Sequence, residues 1–260
     1  MTSFDCNGRA LDLSRTAIMG ILNVTPDSFS DGGIFLARDA AVAHALTMVE
    51  EGADLIDVGG ESTRPGAPAV SVQEELDRVL PVIEAVARAV PVPISIDTSK
   101  PEVMRAAVAA GAGLINDVRA LREAGALQAA AALEVPVCLM HMQGEPRSMQ
   151  QHPVYTDVAV EVRDFLKERI DACVAAGIPR QRIVVDPGFG FGKSAEHNLE
   201  LLRRLGELQM LGMPILAGLS RKSMIGALFG LPVAQRLHAS VALALIAVQN
   251  GATMLRVHDV

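Results

Sequence analysis

Two hydrophobic rhythms alternate along the chain. Continuous apolar runs of strand length fall at about 17–23, 54–59, 93–97, 113–118, 136–141, 182–187, 214–219 and 253–259. Between them lie stretches rich in Ala, Leu and Glu with helical spacing, such as ARDAAVAHALTMVEEGA, SVQEELDRVLPVIEAVARAV and DVAVEVRDFLKERIDACVAAG. A short N-terminal segment precedes them and reads as a hairpin. Ser71-Val72-Gln73-Glu74 has the form of a capping box, and Ser99-Lys100-Pro101-Glu102 marks another helix start. Gly52, Gly111, Gly177 and Gly251 each stand between a helical stretch and a strand, where a left-handed residue stops a helix at little cost. The words GADLIDVGG, GAGLINDV, GIPRQRIVVDPG and GATMLRVHDV repeat one unit of helix, Gly, strand and polar tip. Eight strands with seven crossovers predict a (β/α)8 TIM barrel over residues 1–260 as one domain. A doubly wound open sheet is the second choice, and the lack of a glycine-rich dinucleotide fingerprint after the first strand counts against it. The sequence stops at Val260, directly after the eighth strand, so the closing C-terminal helix of the barrel is absent from this chain.

Composition narrows the function. Hydrophobic residues make up 50% and charged residues 20%, enough for a large core and against disorder. The net charge of −7 excludes a basic nucleic-acid face, although a few convergent cations suffice for an anionic ligand. Cys6, Cys138 and Cys173 are odd in number and lack CxxC spacing. That speaks against a disulfide framework or a structural zinc site and for a reducing, cytoplasmic setting. The N-terminus has no apolar signal region, and no apolar run approaches ~18 residues, so no membrane span is expected.

In a barrel, ligands meet the C-terminal ends of the strands. Here those ends are polar: Asn23, Asp57, Asp97, Asn116, His141, Asp186, Ser220 and the pair Arg256 and His258. One polar strand end is an ordinary loop cap; eight at equivalent positions predict a shared pocket. Arg256 and His258, at i and i+2, point to one side of a strand and place two potential cations at one mouth. Gly218-Leu219-Ser220-Arg221-Lys222-Ser223 joins a strand to a short helix, with Ser220 as a cap and cations suited to an anion. Asp97, Asn116 and Asp186 can hydrogen-bond a flat, nitrogen-rich ring, because a carboxylate accepts two parallel N–H bonds from an amidine-like edge. A metal cluster and structural caps are the rival readings of that trio. Asp186-Pro187-Gly188-Phe189-Gly190 reads as a pocket wall whose Phe covers a ring. Two loops, TPDSFSDGG after Asn23 and GGESTRPG at 59–66, are built from turn formers.

The motifs GILNVTPDSFSDGG, IDVGGESTRPGA, ISIDTSKP, INDVRAL, CLMHMQG, DPGFGFGK, GLSRKSMIG and RVHDV occur in order from about Leu11 to Val260. Together they resemble the bacterial dihydropteroate synthase family, whose fold is the barrel inferred above. The resemblance implies a transferase of folate biosynthesis. It would condense 6-hydroxymethyl-7,8-dihydropterin diphosphate with 4-aminobenzoate to 7,8-dihydropteroate and pyrophosphate. By position, Asp97, Asn116, Met140, Asp186, Gly218 and Lys222 match the pterin site. Asn23, Arg64, Arg256 and His258 match the diphosphate site, with Asn23 as the Mg2+ ligand. Phe29, Thr63, Pro65, Phe189 and Ser220 match the aminobenzoate pocket, which is also where sulfonamides bind. Arg64, Lys222, Arg256 and His258 are the expected catalytic residues. The TPDSFSDGG loop is expected to act as a lid in which Asp27 and Asp31 orient the closed form or stabilise a developing cation. The family is generally homodimeric. Rival readings are a methyltransferase on the same pterin-binding barrel and a catalytically inactive pterin-binding homologue.

Overall fold

The computed structural model describes residues 3–25, 33–62, 67–144, 149 and 153–260, with the side chains of 33–37 excluded. The chain begins with β1 (Ser3–Cys6) and β2 (Arg9–Asp12), an antiparallel hairpin. It then alternates β3 (Ala17–Asn23), α1 (Gly33–Glu51), β4 (Leu55–Gly59), α2 (Val72–Ala89), β5 (Ile94–Asp97), α3 (Pro101–Ala109), β6 (Leu114–Asp117), α4 (Ala126–Leu133) and β7 (Val137–Met140). The second half runs α5 (Val158–Ala175), β8 (Ile183–Asp186), α6 (Ala195–Arg203), β9 (Leu216–Ala217), α7 (Ser223–Phe229), α8 (Leu237–Gln249) and β10 (Met254–Val257). The eight later strands pair in parallel in the order β8-β7-β6-β5-β4-β3-β10-β9. A parallel bridge between Val185 and Ile215 joins the two ends of the sheet, so the ring closes as the sequence predicts.

The predicted helix stops are present. Gly52, Gly111, Gly177 and Gly251 have φ of 114°, 116°, 96° and 105°. The residue after each returns its N–H to a carbonyl five positions back: Ala53 to Met48, Ala112 to Ala107, Ile178 to Cys173 and Ala252 to Ala247. This is one C-terminal motif used four times. The capping box at Ser71 and Glu74 is formed in both directions. The second expected start differs. Helix α3 begins at Pro101 without a side-chain cap, because the Ser99 hydroxyl donates to Asp117 instead.

Strand alternation sorts side chains into two cores. Outward positions such as Leu22, Ile56, Val58, Ile94, Ile96, Ile115, Val137 and Val185 pack beneath the helices. Inward positions in the lower barrel, Met19, Leu55, Leu114, Cys138, Val184, Leu216 and Met254, form a separate core with Phe4, Cys6 and Leu11 of the hairpin. The hairpin thus plugs the N-terminal mouth. Arg9 fastens it to the end of α2 through the Val90 and Val92 carbonyls at 3.0 and 2.7 Å. The three cysteines are buried free thiols, in line with the expected absence of disulfides. Among the described residues no helix is long and apolar enough to cross a membrane.

Candidate active site

At the upper mouth the inward positions turn polar. Register places Asn23 beside Gly59, Gly59 beside Asp97, and Asp97 beside Asn116. Met140 lies beside Asp186 on the next strands. A cleft is lined by Asp97, Asn116, Val118, Met140, Asp186, Phe189, Phe191, Gly218, Lys222 and Arg256. All six residues matched to the pterin site therefore meet in one cavity. Asn23 stands at its edge: a point one Cβ above Gly59 would be 3.8 Å from the Asn23 Oδ1 and 3.9 Å from an Asp97 oxygen.

The charges are more interleaved than the sequence suggests. Arg256 donates from Nε to Asp57 at 2.6 Å and from Nη2 to Asp97 at 2.8 Å. It does not stand apart at a phosphate end; it lies across the acidic floor. Its Nη1 makes no hydrogen bond among the described residues and remains for a ligand. Asp57 is fully buried, accepts from the Asn116 amide at 3.2 Å, and leaves its Oδ1 without a partner. Sequence reasoning noted Asp57 only as one polar strand end. Its position in register two residues before Gly59 on an inward face was the available signal.

Burial sets the protonation of this floor. It pushes Asp97 up to about 7, against the pull of Arg256. Burial also raises Asp186, while the Gly188 N–H and the cations Lys222, Arg256 and Lys193 oppose it. Lys222 is lowered to about 8 by burial and then by Arg256. Its ammonium lies 4.2 Å from the Phe191 ring centroid.

Three expectations change at the rim. His258 is pushed down to about 4 by burial and by Arg221, Arg256 and Lys222, so it is neutral at neutral pH and is no second cation. Ser220 does not cap α7, whose N-terminal flank Lys222 makes no side-chain cap. The Ser220 hydroxyl instead accepts the His258 N–H at 3.1 Å and lies 3.1 Å from its Nδ1. Phe189 lines the cleft but is packed into the core at 1% exposure; the half-buried ring at the cleft is Phe191, two residues on. Phe29, Thr63, Arg64 and Pro65, with Asp27 and Asp31, lie outside the described residues.

A metal would find oxygen donors but no preformed cage. Among the described residues, no three His, Cys, Asp or Glu side chains gather to hold an ion. The Asn23 amide oxygen with a nearby carboxylate fits Mg2+, which keeps waters and takes phosphate oxygens for most of its shell.

Comparison with known proteins agrees with this geometry. The family described as pterin binding enzyme matches residues 19–258. The dihydropteroate synthase of Escherichia coli (strain K12) is 56% identical over 253 residues, which covers 97% of this chain and 90% of the relative. A solved dihydropteroate synthase of Xanthomonas albilineans with 4-aminobenzoic acid superposes with a TM-score of 0.94. It is 59% identical and covers 99% of this chain and 93% of its own. The same organism's enzyme in complex with 7,8-dihydropteroate gives a TM-score of 0.91 at 57% identity, covering 99% and 93%.

Proposed function

The chain belongs to the pterin-binding enzyme family, and from that premise we infer that it carries out the dihydropteroate synthase reaction. 6-Hydroxymethyl-7,8-dihydropterin diphosphate condenses with 4-aminobenzoate to give 7,8-dihydropteroate and pyrophosphate. The observation that carries this reading is the cleft floor: Asp97, Asn116 and Asp186 converge on one cavity with Lys222 and Phe191 above it. We read residues 1–260 as one barrel domain. Nothing in the cleft favours the methyltransferase alternative. An inactive homologue would lack one of the expected site residues, and all of them are present in the sequence.

In this reading the carboxylates and the Asn116 amide hold the nitrogen-rich edge of the pterin, and Met140 and Gly218 bound its faces. The diphosphate lies toward Asn23, the Nη1 of Arg256 and neutral His258, and Arg64 is assigned to it by the sequence resemblance alone. The aminobenzoate takes the outer pocket near Ser220; Thr63, Pro65 and Phe29 are assigned to it by the sequence resemblance alone. Bound Mg2+, held by Asn23, would offset charge on the departing pyrophosphate. 4-Aminobenzoate is a weak neutral nucleophile, and the acids that line the cleft face the ring site. Bond breaking ahead of bond making therefore fits this chain. The C–O bond to diphosphate cleaves with its electron pair, the exocyclic carbon becomes a ring-stabilised cation, and the amine nitrogen then attacks and loses its proton. Arg256 and Lys222 meet charge on the leaving group, while Asp97 and Asp186 stabilise the cationic ring.

The family's homodimer is supported here by an apolar stripe on α8: Leu237, Val241 and Leu245, spaced four apart, are 44%, 59% and 59% exposed. A cytoplasmic setting rests on the three free thiols. The deciding experiment mixes the pterin diphosphate, 4-aminobenzoate and Mg2+ and follows pyrophosphate and dihydropteroate together. Both should appear; a folded protein that forms no dihydropteroate with all three present would overturn the assignment.

A further inference from the structure

Behind the cleft lies a buried pair that this reaction does not use directly. We propose that Lys193, held by His141, is a positioning residue for the ring site: it fixes the turn from Gly188 to Phe191 and sets a buried positive charge behind Asp186. The proposal rests on the function assigned above.

Lys193 is 3% exposed. Its three N–H donors are all used, on the Gly188 carbonyl at 2.9 Å, the Phe191 carbonyl at 3.1 Å and the His141 Nδ1 at 2.9 Å. A buried ammonium is tolerated only when its donors are met in this way. The two carbonyls belong to the turn that carries both aromatic walls of the cleft. That turn is left-handed at Gly188, Gly190 and Gly192, with φ of 67°, 80° and 60°. It presses directly on the strand end before it: a Cβ at Gly188 would overlap the His141 carbonyl oxygen. Asp186 takes the Gly188 N–H at 2.7 Å, and Asn198 of α6 takes the Gly190 N–H at 2.7 Å. Lys193 thus ties the first and last residues of the turn together and to the end of β7. Release of it would free Phe191 and, with that ring, the seat of the Lys222 ammonium.

The electrostatic surroundings are explicit. Lys193 faces His141 from β7, Asp186 from β8 and Lys222 from the loop after β9. Asp186 faces the cations Lys222, Arg256 and Lys193, with Asp57 and Asp97 on the neighbouring floor. His141 packs edge-on against Phe165 of α5 at 4.9 Å and near Tyr155, itself edge-on to His197 of α6; Arg122 acts on His141 from the side. Burial pushes His141 down to about 2, so it is a neutral acceptor toward Lys193. Burial brings Lys193 down to about 7, with Asp186 holding it up and Lys222 adding to the fall. A charge poised near neutrality beside a ligand-binding carboxylate must titrate in concert with it.

The sequence holds four lysines, Lys100, Lys167, Lys193 and Lys222, so 13C-lysine labelling yields four side-chain signals. In the wild-type protein two signals should titrate early: the one lost in Lys222→Met near pH 8, and that of Lys193 near pH 7. In Asp186→Asn the Lys193 signal should titrate at least half a pH unit lower; an unmoved midpoint would overturn the charge coupling. A structural lysine with no link to Asp186 would not respond. Titration calorimetry with a pterin lacking the diphosphate then tests positioning. Lys193→Met should bind about tenfold more weakly, and His141→Gln, which keeps an acceptor, should lose less. Undiminished pterin affinity in a folded Lys193→Met protein would overturn the positioning role. If Lys193→Met does not fold, the lysine titration decides alone. A wild-type protein that binds no pterin at all would instead count against the proposed function.

Discussion

The two halves of the barrel interior use the same strands for opposite ends. Below, Met19, Leu55, Leu114, Cys138, Val184, Leu216 and Met254 fill the bore and the hairpin seals it. One inward step higher, the same strands present Asp57, Asp97, Asn116, Met140, Asp186, Gly218 and Arg256. The lower half is a buried apolar cluster, which favours stability. The upper half places an arginine and three acids together, with one carboxylate oxygen lacking any partner. Such clusters contribute little net stability, because desolvation offsets much of the attraction. On six of the eight strands, two residues of sequence separate a stabilising layer from a reactive one.

The largest effect should come from the seam between these halves. Arg256→Ala removes the partner of Asp57, which has no exposure at all, and of Asp97. The unpaired charges should cost about 3–5 kcal/mol of unfolding free energy. Turnover should also fall by about 10²–10³, the scale of a lost transition-state donor. The double variant Arg256→Ala/Asp57→Asn separates the two roles. Denaturant melts should show most of the stability restored, while turnover stays low. Recovery of both would mean that Arg256 acts on this site only as a counter-ion.

The lower layer should behave in the reverse manner. Leu11 is buried in the lower core, on the hairpin strand that pairs with β1 and not with the barrel. Leu11→Ala should lose about 2–5 kcal/mol through transfer and cavity terms. At a temperature where the variant is folded, kcat/KM should stay within about twofold, since ground-state folding and site geometry are separable across the layers. A stability loss below about 1 kcal/mol, or a large change in kcat/KM, would show that the two layers are not independent.

How much of this contrast could be read in advance depends on the range of the interaction. Strand ends, helix stops and the capping box at Ser71 were readable because each is a pattern within about ten residues. The convergence of Asp97, Asn116 and Asp186 followed once the strands were placed in a barrel. The pairing of Arg256 with Asp57 and Asp97 was not readable, because those partners lie 199 and 159 residues away. Spacing alone left Arg256 as one of two potential cations at one mouth, and the resemblance gave it the diphosphate. Ser220 was misread for a similar reason: its partner His258 is 38 residues on, whereas a helix cap is local. In GFGFG the error was one of direction. Left-handed glycines on both sides of each Phe break strand alternation, so no period indicates that Phe189 enters the core and Phe191 meets the cleft.

The smallest effect concerns the protons of the upper layer, and its sign follows from burial. Asp97 is raised to about 7, so in the free enzyme it is half protonated near neutrality. Lys222 is lowered to about 8, so it loses its charge just above neutrality. If Asp97 accepts from the ring and Lys222 must be charged, kcat/KM for the pterin diphosphate should form a narrow bell. It should fall about tenfold per pH unit below about 7 and again above about 8. The stability terms run the same way in the folded protein. Asp97, with a raised pKa, adds stability at low pH that is withdrawn as pH rises from its ordinary value through about 7. Lys222, with a lowered pKa, adds stability only at high pH, and that is withdrawn as pH falls through about 8. The pH range of best turnover is therefore one in which both groups weigh against folding, the expected signature of a layer shaped for binding. Pterin titrations of Asp97→Asn and Lys222→Met should each lose one limb of the bell, acid and alkaline respectively. Lower-layer changes such as Leu11→Ala should leave both limbs in place. A bell that keeps both limbs in Asp97→Asn would assign the acid side to Asp186 and move the poised carboxylate one site around the ring.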